Sequence, residues 1–118
     1  MEKINYEVIV SIVNRGHSDS VVEAARKAGA RGGTIINGRG TSTSDKDSFL
    51  GVSIAPEKEV VLIIAKKEEK MALMTAIVES CSLDKDGYGI CFSLPVNQVR
   101  GLKTNLNDDE ENNKNNKE

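Results

Sequence analysis

The sequence predicts an α+β sandwich of βαββαβ order, and three observations carry that reading. Four segments are rich in β-branched and aliphatic residues: 4–13, 34–37, 59–65 and 90–94. Two others, 21–28 and 66–82, space their apolar residues as helices do. Glycine-bearing turns at Gly16, Gly29, Gly38–Gly40 and Gly87–Gly89 separate them. Two split βαβ halves in this order give an antiparallel sheet with both helices on one face, the ferredoxin-like arrangement.

Each element has its own signature. In 4–13 (INYEVIVSIV), Ile4, Tyr6, Val8, Val10 and Ile12 share one face, and Ile9 and Val13 add apolar side chains to the other. Asn14-Arg15-Gly16-His17 reads as a turn, and Asp19 or Ser20 is placed to cap the following helix. That helix carries Val21, Val22, Ala24, Ala25 and Ala28 at helical spacing, with Gly29 as its stop. Thr34–Asn37 is a short strand between glycines, and 41–53 is a polar loop except for Phe49-Leu50. Pro56 precedes Glu59–Ala65, a strand without alternation and so expected to be covered on both sides. In the second helix, Met71, Met74, Ile77, Val78 and Cys81 are expected on one face as core packing. Asp86-Gly87-Tyr88-Gly89 is a turn before the last strand, Ile90–Leu94, which Pro95 is expected to end.

Two helices cover one face of such a sheet. The strands are apolar on both sides, so the other face calls for self-association.

The chain has 118 residues and a formal charge of −2, from 16 Lys and Arg against 18 Asp and Glu. One domain fits that length. The near-balance argues against a broad electrostatic surface for nucleic acid. Residues 105–118 hold five acids and two bases with Leu106 as their one apolar residue, leaving the remainder at +1. The expected division is a folded unit over 1–104 and a disordered acidic, Asn-rich tail over 105–118. The N-terminus MEKINYEVIV lacks a signal-peptide pattern, and no run is apolar enough to span a bilayer. Cytoplasmic location without membrane insertion is the expectation.

Reactive side chains are sparse. His17 is the single histidine, in a polar turn, where solvation or capping is the expected role. Cys81 and Cys91 stand ten apart with no CxxC, as buried free thiols. No G-x-S-x-G elbow is present. An acylphosphatase-like hydrolase on the same fold rests on Asn14-Arg15-Gly16 alone. Tyr6, Phe49, Tyr88 and Phe92 form no basic-aromatic motif for RNA. The clusters Gly38-Arg39-Gly40-Thr41 and Gly87-Tyr88-Gly89 allow backbone N–H groups to approach a phosphate, though tight turns need glycine too.

Three blocks resemble the PII family of nitrogen regulatory, signal-transduction proteins. Thr34-Ile35-Ile36-Asn37-Gly38-Arg39-Gly40 is similar to the strand and GxG that open the family's T-loop. Pro56 through Ile64 is similar to its third strand. Gly87-Tyr88-Gly89-Ile90-Cys91-Phe92-Ser93-Leu94-Pro95-Val96 is similar to its B-loop, fourth strand and exit. The resemblance covers roughly residues 3–104 and implies a homotrimer with inward-facing sheets. It implies no catalysis and no required cofactor. A small-molecule effector, ADP, AMP or ATP, would bind in clefts between subunits, and a ligand-responsive loop would dock on a regulated transporter or nitrogen-metabolism enzyme.

Carried over, Gly38, Gly40 and Thr41 belong to the T-loop side of that cleft, Gly87, Tyr88 and Gly89 to the B-loop side. Lys103 stands at the second of two phosphate-binding arginines, with Arg100 beside the first. Phe49 and Leu50 are the candidate partner contact. The chain departs from the family at several positions. Ile90 replaces the B-loop lysine and Gly101 the first arginine. Tyr88 replaces an Asp, Ser42 a glutamine, and Glu57 the lysine that holds 2-oxoglutarate. Each lost cation removes a charge-assisted bond worth about 1.5–3 kcal/mol. ATP is therefore expected to bind weakly, and ADP, AMP or another small ligand to fit better. The alternative reading is a trimer of the related ion-tolerance type, or a small-ligand binder, without nucleotide.

Overall fold

A computed structural model describes residues 4–41, the backbone of 48–49 and 52–53, and residues 56–102. The elements are β1 (Tyr6–Asn14), α1 (Ser18–Lys27), β2 (Thr34–Arg39), β3 (Ser48–Phe49), β4 (Val52–Ser53), β5 (Glu57–Lys66), α2 (Lys70–Cys81) and β6 (Gly89–Val96). The four long strands form one sheet in the order β2-β5-β1-β6. Every neighbouring pair is antiparallel. This is the arrangement the element order predicts. Lys103, Leu50, the side chain of Phe49 and the whole of 105–118 lie outside the described residues.

One face of the sheet packs under α1 and α2. Its core joins Ile9 and Val13 of β1, Val61, Ile63 and Ala65 of β5, Val21 and Ala25 of α1, and Leu73 and Ile77 of α2. Two polar residues of β1 are buried on this face as well. Glu7 accepts from Lys70 Nζ at 3.0 Å, and Ser11 Oγ lies 3.5 Å from Cys91 Sγ. Both thiols are free and packed against this core. Burial pushes each thiol above the usual cysteine range.

Among the described residues no helix lies on the other face. It carries Val8, Val10 and Ile12 of β1, Val60, Leu62 and Ile64 of β5, Ile36 of β2, and Ile90, Phe92 and Leu94 of β6. Val10, on a central strand, is buried by its neighbours. Elsewhere on this face exposure rises to 40% at Ile64 and, on the edge strand β6, to 57% at Ile90.

Four local expectations need correction. The α1 N-cap is His17, with no side-chain cap bond, while Asp19 sits in the first turn and Ser20 one residue further on. The capping carboxylate comes instead from across the sheet, from Glu59. In α2 the buried residues are Leu73 and Ile77, and Met71 is 66% exposed. At about 100° per residue Leu73 lies about 40° round the helix from Ile77 and Met71 about 120°. The stripe is thus rotated away from the one Met71 would define. Pro95 does not end the last strand but pairs with Glu7 inside it. Strand β6 is an edge of the sheet, where a missing N–H facing outward costs no ladder bond. Finally, the 41–53 segment contains a short hairpin, β3 with β4. Among the described residues no helix is long and apolar enough to cross a membrane.

Candidate ligand-binding site

The strand registers bring both glycine clusters to the same end of the sheet. Gly38 of β2 is opposite Lys58 of β5, Lys58 is opposite Asn14 of β1, and Val13 is opposite Gly89 of β6. The end of β2, the start of β5, the end of β1 and the start of β6 therefore form one rim.

Hydrogen bonds tie this rim together. Asn14 Nδ2 donates to the Gly87 carbonyl at 3.0 Å, and Lys58 Nζ donates to Asn14 Oδ1 at 2.6 Å. The Gly40 N–H donates to the Pro56 carbonyl at 2.7 Å, closing the base of the 41–55 segment. Gly89 is required by space, and Gly40 sits tight against the flexible end of the Lys58 side chain. A Cβ at Gly89 would come within 2.5 Å of the Ile12 carbonyl, and its φ of +139° is one that side chains other than glycine rarely adopt. A Cβ at Gly40 would come within 2.9 Å of Lys58 Cε.

On the helix-covered side of the rim, Glu59 Oε1 accepts from the N–H groups of Gly16 at 2.9 Å and Ser18 at 3.1 Å. The Ser18 hydroxyl foremost, then the N–H groups at the α1 N-terminus, hold its carboxyl below the usual carboxylate range. Arg15 forms an exposed ion pair with Glu57. A cleft at the edge of the rim, reached from both faces of the sheet, is lined by Arg15, Asn37, Gly38, Glu57, Lys58 and Glu59. A second, beside the Gly87–Tyr88 turn, is lined by Asn14, His17, Ser20 and the end of α2. His17 is exposed. Among the described residues no group of three or more His, Cys, Asp or Glu side chains is assembled as a metal site.

The sequence-predicted site residues fall into two groups. Gly38, Gly40, Thr41, Gly87, Tyr88 and Gly89 stand at the loop end of the sheet. Arg100 does not. Strand β6 carries the chain from Gly89 to Val96, about 24 Å, before Arg100 is reached. Within one chain Arg100 therefore cannot face the glycine turns. Sequence reasoning passed over Asn14, Lys58 and Glu59. A faint signal existed for the last two: Glu57-Lys58-Glu59 is a charged run opening an otherwise apolar strand.

The comparisons with known proteins agree with this architecture. The family model for nitrogen regulatory protein P-II matches residues 6–105. The crystal structure of Arabidopsis thaliana PII bound to citrate is similar, with a TM-score of 0.60 and 28% identity, covering 80% of this chain and 77% of that chain. No curated protein sequence matches the chain. The chain belongs to the nitrogen regulatory protein P-II family, whose members are signalling regulators and not enzymes, and the hydrolase reading is set aside.

Proposed function

We propose that the chain regulates a partner protein as a homotrimer, with an anionic small molecule bound where copies meet. The uncovered apolar sheet face carries this reading. Ile36, Ile64, Ile90, Phe92 and Leu94 on that face remain 37–57% exposed in one chain, which supports its burial between subunits. Trimeric closure would also bring the Arg100 end of one chain to the glycine rim of another, which one chain alone cannot do. Adenine nucleotides are the ligand class proposed, with ADP or AMP preferred over ATP because Ile90 and Gly101 supply no cation. The similar Arabidopsis protein holds citrate, so a polycarboxylate is the second anion class to include.

The ligand would act on the 41–55 loop by favouring one of its conformations, and the loop would present Phe49 and Leu50 to a transporter or an enzyme of nitrogen metabolism. Calorimetric titration with ADP, AMP, ATP and citrate tests the ligand. Saturable binding with ADP or AMP tighter than ATP is expected, and heats at the dilution level for all four would contradict the reading. Replacing Phe49 and Leu50 by serine is expected to abolish partner capture and leave assembly unchanged.

A further inference from the structure

We propose that Lys58 is the anion-contact residue of the cleft lined by Gly38 and the start of β5, and that Asn14 is the residue that positions it. This rests on the reading of the cleft as an anion site and names the cation that serves it.

The family's B-loop lysine position holds Ile90, which is 57% exposed and carries no charge. Ile90 is opposite Ile12, two residues along β1 from Asn14 and on the same face. Lys58, opposite Asn14, projects on that face too. The open face thus carries a cation at Lys58, near the position where Ile90 offers none.

The bonding of Lys58 leaves its charge available. An ammonium has three donors, and among the described residues its one hydrogen-bond partner is Asn14 Oδ1, a neutral acceptor. The two adjacent carboxylates lie on the opposite face of β5, as strand alternation requires. Glu57 is paired with Arg15, and Glu59 with the N–H groups of Gly16 and Ser18. Among the described residues no carboxylate is ion-paired with Lys58, and the two that share its cleft, Glu57 and Glu59, are engaged elsewhere.

Two contacts fix where that charge sits. Asn14 is anchored by its amide to the Gly87 carbonyl at 3.0 Å, which sets Lys58 against the 87–89 turn. The lysine stem lies against Gly40, where a Cβ would come within 3.3 Å of Cγ and 2.9 Å of Cε. The ammonium therefore stands between the two turns, and its ligand is a phosphate or carboxylate group.

Calorimetric titration of the full chain with pyrophosphate and with citrate tests this and tells the two anion classes apart. Lys58→Met keeps the stem and removes the charge. It is expected to weaken binding of the preferred anion about tenfold or more and to flatten the salt dependence, as loss of a charge-assisted bond requires. Gly40→Ala keeps every charge but displaces the lysine end, so it is expected to weaken binding in the same direction. Asn14→Asp is diagnostic for positioning. Its carboxylate would neutralise Lys58, so it is expected to weaken binding more than Asn14→Ala does, with the thermal melt retained. A purely structural Asn14 would give affinities that follow the melts. Lys58→Met binding within twofold of the parent, with the same salt dependence, would overturn this proposal alone. A parent chain that binds neither anion would overturn it together with the anion-site reading.

Discussion

Glu59 caps a helix to which it is not adjacent in sequence, and its charge is what the α1 N-terminus holds. Its folded pKa is depressed, so its contribution to stability is complete above the ordinary carboxylate value of 4.5 and is lost as pH falls through the folded value. Glu59→Gln is expected to lower the melting temperature at neutral pH. The gap between the two proteins should narrow in melts taken well below pH 4.5, and a constant gap would contradict the assignment. At Glu7 the issue is burial. Its carboxylate is enclosed by the core and meets Lys70 Nζ at 3.0 Å. Lys70→Met is expected to cost about 1.5–3 kcal/mol in chemical denaturation, the value of a hydrogen bond to a buried charge. Both contacts join residues more than 40 positions apart, so no local reading of the sequence could supply them. The same is true of the Asn14–Lys58–Gly87 bridge.

Among the elements, strands were more legible than helix faces. The strands of the sheet were placed because β-branched runs and glycine turns are local signals. Strand β2 extends two residues beyond its expected end, through Arg39, because pairing with β5 continues to Glu57. Pro95 misled because its effect depends on whether a strand is central or at an edge, which only the assembled sheet determines. In α2 nearly every residue from Met71 to Val78 is apolar or small, so the period leaves the direction of the core open, and packing against α1, β6 and β1 selects Leu73 and Ile77. The two faces differ in their response to substitution. Leu73→Ala or Ile77→Ala is expected to cost about 2–5 kcal/mol by denaturant unfolding, and Met71→Ala no more than about 0.5 kcal/mol. Equal effects would return the core face to Met71.

For the molecule as a whole, the proposed assembly and function both rest on the sheet face that no described helix covers. Its existence was legible in the sequence, because β1 and β5 are apolar at consecutive positions. Which residues form the ligand cleft was only half legible. The glycines stand where local turn chemistry places them, while Arg100 stands at the far end of the sheet and would meet such a cleft only in the proposed trimer. Leu94, on the open face and 51% exposed, gives a control for this scale: Leu94→Arg is expected to disrupt assembly, and to abolish anion binding with it. The most direct test is sedimentation equilibrium on the unmodified chain. The expected result is a single species of three times the 12.8 kDa chain mass. A stable monomer that stays in solution with this face bare would contradict the account.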